Sequence, residues 1–213
     1  MRNLFGGGER SGSKSGVNAT RTPRHSSGWS ELLKYLRSTE SLRVLDIGPT
    51  SSSNINFLTG LGHSIYMANL VEEASRSEWM VSPAPGELAT FDVPRFLASN
   101  LNFSGRTFDV VIFWDTADYL PEPLVAPLFE RLYEAMEPGG KLLAFSHTKA
   151  TGAETGFFRY HLTATESVEM QPGGSFPLQR VYNNRQIENF LKPFASFRFF
   201  LAKDNLREVL ATR

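Results

Sequence analysis

The run Thr107-Phe108-Asp109-Val110-Val111-Ile112-Phe113-Trp114-Asp115 constrains the fold more than any other part of the chain. Its apolar residues fall on odd and even positions alike, so a strand made from it must be buried on both faces. That is the situation of a parallel sheet covered by helices. Strand and helix signals alternate around it. Ser26 or Ser27 can cap a helix carrying Trp29, Leu32, Leu33 and Leu36 at helical spacing. Leu42 to Gly48 reads as a short buried strand ending on an acid and a glycine. A Ser/Asn loop follows, then the apolar set Ile55, Phe57, Leu58 and Leu61 of a helix closed by Gly60-Leu61-Gly62. Ser64 to Leu70 is a second strand, and a third is expected to end near Phe91-Asp92. A helix from Val93 to Leu101 leads into the long apolar strand, and an amphipathic helix from Leu124 to Met136 leaves it. After the Pro138-Gly139-Gly140 turn, Lys141 to His147 forms the fifth strand.

Residues 148–182 interrupt the alternation. A helix from Gln186 to Leu191, capped at Asn183 or Asn184, and the strands Phe197 to Ala202 and Arg207 to Thr212 complete the chain. The Lys203-Asp204-Asn205 link is too short for a crossover helix, so these last strands must pair antiparallel. The expected fold is α/β and Rossmann-like: a mostly parallel seven-stranded sheet, helices on both faces and a C-terminal antiparallel hairpin.

A length of 213 residues suits one such domain plus a tail. Residues 1–25 hold Arg2, Arg10, Lys14, Arg21 and Arg24 against Glu9, are dense in Gly and Ser, and are expected to be disordered, with the domain over 26–213. A formal net charge of zero argues against nucleic-acid binding by bulk electrostatics. No apolar run approaches the roughly 20 residues of a membrane span. The absence of cysteine excludes thiolate chemistry and disulfides and fits a reducing compartment, so a cytoplasmic location is expected. His25, His63, His147 and His161 lack metal-ligand spacing, and no metal is expected.

Three motifs in order resemble those of the class I S-adenosylmethionine-dependent methyltransferases: Val44-Leu45-Asp46-Ile47-Gly48, Phe108-Asp109-Val110-Val111 through Asp115, and Met136-Glu137-Pro138-Gly139-Gly140-Lys141-Leu142-Leu143. The terminal hairpin agrees, and the resemblance covers about residues 28–213. It implies S-adenosylmethionine as cofactor. Asp46 and Gly48 then form the turn that receives its methionine end, a strand-to-helix turn of the kind that seats anions. It implies that Asn69, 23 positions beyond Asp46, faces the ribose hydroxyls, and that Asp92 accepts from the adenine amino group. Where the family's loop has further glycines, this chain has Pro49-Thr50-Ser51-Ser52-Ser53-Asn54, so Ser51 and Asn54 are the loop's candidate ligand contacts.

Asp115 ends a parallel strand at the edge where ligands bind and is a candidate pocket residue. Asp115 and His147 are conditional candidates for a base, needed only when the acceptor must lose a proton. Tyr119, Tyr160, His161 and Arg180 are candidate substrate contacts, the last three within an insertion positioned to cover the cofactor edge. Each has a plainer reading: Asn69 and Asp92 as helix caps, Trp114 and Tyr119 as packed aromatics, and the insertion as an edge hairpin with aromatic packing. The expected activity is methyl transfer to a small-molecule acceptor, and the alternative is a methyltransferase-fold binding or scaffold protein without catalysis.

Overall fold

The computed structural model describes residues 20–82, 84, 86–150, 156–200 and 204–213. The strand β1 (Thr22–His25) opens it, followed by α1 (Ser27–Ser38), β2 (Arg43–Ile47), α2 (Ser52–Gly60), β3 (Ser64–Ala68) and α3 (Leu70–Ala74). Next come β4 (Met80–Val81), β5 (Thr90–Phe91), α4 (Val93–Asn100), β6 (Phe108–Trp114), α5 (Glu122–Ala135) and β7 (Met136–His147). The hairpin β8 (Phe157–His161) and β9 (Ser167–Gly174), then α6 (Asn184–Phe190), β10 (Ser196–Phe200) and β11 (Leu206–Thr212), complete it. No helix among the described residues is long and apolar enough to cross a membrane.

The central sheet has the order β10-β11-β7-β6-β2-β3. β3, β2, β6 and β7 are parallel, and β11 and β10 close the sheet antiparallel. Side chains alternate between faces along a strand, and the cores divide accordingly. Leu45, Ile47, Val111, Phe113, Leu142 and Ala144 join one cluster with residues of α3 to α6. Val44, Val110, Ile112, Trp114, Leu143 and Phe145 join the other with Trp29, Leu32 and Leu36 of α1, Leu58 of α2 and Tyr160 of β8. Helix α1 begins where the Ser26 hydroxyl accepts from the Trp29 amide at 3.1 Å, and its spaced apolar residues turn one stripe to the sheet.

Two sequence expectations change. The third strand is a two-residue element, β5, paired with β4 instead of lying beside β3, so six strands make up the central sheet among the described residues. The segment before β5 is short and polar, with Pro83, Pro85 and Gly86. What fixes it is the packing of Trp79 and Phe91 on Phe96, at centroid distances of 5.1 and 5.3 Å. Second, Thr22–His25, counted with the tail, is a strand that pairs antiparallel with β9. Residues 1–19 of the expected tail, Leu201 and Ala202 of the expected strand Phe197 to Ala202, and Lys203 of the turn after it lie outside the described residues.

Arg24 explains why β1 is held. Its guanidinium, 7% exposed, bonds Glu208 at 2.5 Å and Asp204 at 2.6 Å and lies over the Phe145 ring. Glu208 also accepts from the Gly28 amide and the Ser26 hydroxyl. A buried arginine needs such a set of partners to offset its lost hydration. The resulting three-stranded sheet, β1-β9-β8, sits over the α1 and α2 side of the molecule.

Candidate functional site

The strand order reverses at β2: β3 lies on one side of it and β6 on the other. In open α/β sheets ligands bind outside the carboxyl ends of the strands at such a switch point. Asp46 and Gly48 stand at the end of β2, and Trp114 and Asp115 at the end of β6. Because Asp46 pairs in register with Ile112, the two-residue period puts Asp46 and Trp114 on the same face.

The Trp114 indole Nε1 donates to Asp46 Oδ1 at 2.7 Å, and the Asn54 amide donates to Asp46 Oδ2 at 2.8 Å. Asp46 is 1% exposed, and burial raises its pKa to about 6 against the pull of those two bonds. Trp114 has a φ of +38°, a left-handed conformation that is costly for an aromatic residue, beside a register shift between β6 and β7. The bend lays the indole across Gly48, where an added Cβ would stand 3.0 Å from Trp114 Cδ1. The glycine thus admits the protein's own indole.

The serine loop is engaged in the same way. Ser51 caps α2 by accepting from the Asn54 amide at 3.2 Å, and its hydroxyl lies 2.8 Å from His161 Nδ1. His161 Nε2 is 3.0 Å from the carbonyl oxygen of Gln171, which can only accept, so Nε2 carries the proton and Nδ1 accepts from Ser51. Burial lowers the His161 pKa, in keeping with this neutral ring. Asn54 is used in full: its Nδ2 also donates to the Tyr160 carbonyl at 3.1 Å, and its Oδ1 accepts from the Leu162 amide at 2.7 Å.

Tyr160 completes the closure. Its ring is stacked on Trp114, with centroids 4.7 Å apart and planes 7° from parallel, and its hydroxyl donates to Asp115 Oδ2 at 2.9 Å. Burial pushes the Asp115 carboxyl up to about 7, with Asp118 adding to the rise and His147 opposing it. Asp118 Oδ2 in turn accepts from the His147 backbone amide at 2.6 Å and lies 2.9 Å from His147 Nδ1, all within a fully buried pair.

Asp46, Ser51, Asn54, Asp115, Tyr160 and His161 therefore form one bonded network with Trp114, and His147 adjoins it through Asp118 and Asp115. Asn69 and Asp92 stand apart from it, at the ends of β3 and β5. Asp92 caps α4 by accepting from the Arg95 amide at 3.2 Å. Asn69 precedes α3 without a side-chain cap; its Nδ2 donates to Glu72 at 2.8 Å, and its buried Oδ1 has no partner among the described residues. Tyr119 packs edge-on against His147 and Phe157. Arg180 forms an ion pair with Glu122 and lies over the Tyr182 ring. The insertion is a hairpin with aromatic packing. Sequence reasoning missed Asp118, Gln171 and the polar role of Trp114, whose place one residue before Asp115 at a strand end was the available signal.

The sequence matches no protein-family model and no curated protein. Solved structures are similar in fold. A SAM-dependent methyltransferase from Methanosarcina mazei is 16% identical, with 85% of this chain and 96% of that one covered at a TM-score of 0.50. Magnesium protoporphyrin IX methyltransferase from Synechocystis PCC 6803, with bound SAH, is 19% identical, with 87% and 81% covered at a TM-score of 0.50.

Proposed function

We propose that this chain, which has the fold of the class I S-adenosylmethionine-dependent methyltransferases, binds S-adenosylmethionine along the carboxyl ends of β2, β3 and β6 and passes its methyl group to a small-molecule acceptor. The orphaned Asn69 Oδ1 at the end of β3, beside the acid-and-glycine end of β2, carries the reading. A buried acceptor without a partner calls for an occupant, and a ribose hydroxyl is a donor of the required kind. Asp46 would hold the cofactor's amino group, Asn69 its ribose and Asp92 its adenine amino group. On the ribose side Asn69 Oδ1 has no partner among the described residues, whereas on the methionine side Asp46, Ser51 and Asn54 are already bonded within the chain.

When bound, the cofactor supplies an electrophilic methyl on a sulfonium sulfur. The protein's share is then alignment, which in model systems supplies effective molarities up to about 10⁵–10⁸ M. For an acceptor that must lose a proton, Asp115 and His147 are the conditional bases, His147 being held by Asp118 through Nδ1. The small-molecule class is supported by the similar structure named for magnesium protoporphyrin IX.

The internally bonded Asp46, Ser51 and Asn54 favour a second reading, a binding or scaffold protein without methyl transfer. Calorimetric titration and thermal shift with S-adenosylmethionine separate the two. Heat of binding together with a raised Tm supports the cofactor site on which methyl transfer depends; neither signal at millimolar ligand overturns methyl transfer and leaves the scaffold.

A further inference from the structure

We propose that the β8–β9 hairpin is itself the occupant of the seat at the end of β2, and that S-adenosylmethionine and the hairpin compete for it; this rests on the cofactor reading above. The hairpin belongs to the three-stranded sheet, and among the described residues no strand pairing joins that sheet to β2 or β6. Its hold on the seat is made by three residues. Tyr160 gives its ring to Trp114, its hydroxyl to Asp115 and its carbonyl to Asn54. His161 meets Ser51, and the Leu162 amide meets Asn54. Asp46, Ser51, Asn54 and Asp115, the groups a ligand at this edge would use, are each 1% exposed.

Asp46 is 1% exposed, so a ligand ammonium reaches it only where the Trp114 indole or the Asn54 amide moves aside. Both are pinned from outside by the hairpin, the indole beneath the Tyr160 ring and the amide between the Tyr160 carbonyl and the Leu162 amide. Release of residues 160–162 therefore frees both at once. The turn beyond them is held separately: the Trp29 indole donates to the Thr163 and Thr165 carbonyls, and the Ser26 amide to the Glu166 carbonyl. Opening is thus a displacement of β8 about the anchored turn that follows it.

A ligand that needs the open form binds with its affinity reduced by the fraction of molecules that are open. Weakening the hairpin's bonds must then tighten binding, the reverse of what loss of a ligand contact does. The test uses the full chain with S-adenosylmethionine as the probe, combining amide hydrogen exchange at Leu162 with calorimetric titration of Tyr160→Phe and His161→Ala. Leu162 is expected to exchange at least about tenfold faster at saturating cofactor, and both variants to bind about tenfold more tightly than the parent chain. Tyr160→Phe keeps the ring on Trp114 and so preserves the packing, and the exchange measurement on the parent chain needs no variant. Saturation with Leu162 protection unchanged overturns the competition and leaves the cofactor reading standing. No binding to any form, while Leu162 exchange is accelerated in the variants, overturns the cofactor reading and the competition with it.

Discussion

Tyr160 lies flat against Trp114, 7° from parallel, and its hydroxyl donates a hydrogen bond to Asp115, the residue after that tryptophan. One side chain thus closes two strand-end groups, through its ring and through its tip. Tyr160→Phe removes the tip alone and should cost about 1–3 kcal/mol, because it leaves the buried Asp115 oxygen without that donor. Tyr160→Ala also opens a cavity over the indole and should cost about 3–5 kcal/mol. Urea denaturation of both variants measures the difference, and equal losses would show that the ring contributes nothing.

Stability should fall between mildly acidic and mildly alkaline pH. Burial raises Asp115 to about 7 and Asp46 to about 6, both from 3.8. The folded chain then keeps protons that the unfolded chain releases, so the stability these groups contribute is full below about pH 4 and is lost as pH rises through about 6 and 7. His161, lowered by burial, acts in the opposite sense up to its unfolded value of 6.5. The difference between the parent chain and Asp115→Asn isolates the effect, with Asp118, His147 and Tyr160 unchanged around the site. The parent chain should lose more stability than the variant between about pH 5 and about pH 8. Parallel profiles would contradict the assignment.

Gly48→Ala places a methyl 3.0 Å from Trp114 Cδ1 without a φ penalty. The indole must shift, and with it the bond to Asp46. A loss of about 1–3 kcal/mol is expected, as for other overpacked sites. The NMR signal of the Trp114 Nε1 proton should move toward that of an unbonded indole. A variant as stable as the parent, with that signal unmoved, would mean that the glycine has no such role.

Arg24→Met leaves Glu208, 2% exposed, without its guanidinium. Breaking a buried pair in this way typically costs about 3–5 kcal/mol, whereas replacing both partners is often near neutral. Arg24→Met with Glu208→Leu should therefore recover much of what the single change loses. Glu208 also accepts from Gly28 and Ser26, so the recovery should be partial. Chemical denaturation of both variants gives the comparison.

The sheet was legible because its strands carry their own signals. The doubly buried run of β6 requires a parallel neighbour on each side, and Asp46-Ile47-Gly48 marks a strand end without reference to anything distant. The third strand failed because its residues are held by Trp79 and Phe96 packing instead of by an apolar run. The closure of the site was out of reach for a different reason. Asn54 and Leu162 are 108 residues apart and Ser51 and His161 are 110 apart, and neither pair has a periodicity that announces its partner. Trp114 could be read as a core residue, which it is, but not as the donor to Asp46, because that role depends on a left-handed backbone turn.

Arg24 and Glu208 are separated by 184 residues. A ribosome delivering this chain in order releases β2, β3, β6 and β7 well before Glu208, while β1, and through it β9, still lacks its buried ion pair. Domains begin to assemble from the N-terminal side during synthesis, and contacts that close long loops form late. The nascent protein therefore passes through a stage in which the parallel strands can already be paired while the sheet that covers Asp46 still lacks the ion pair that holds β1. Its order of manufacture exposes the seat before its order of folding hides it.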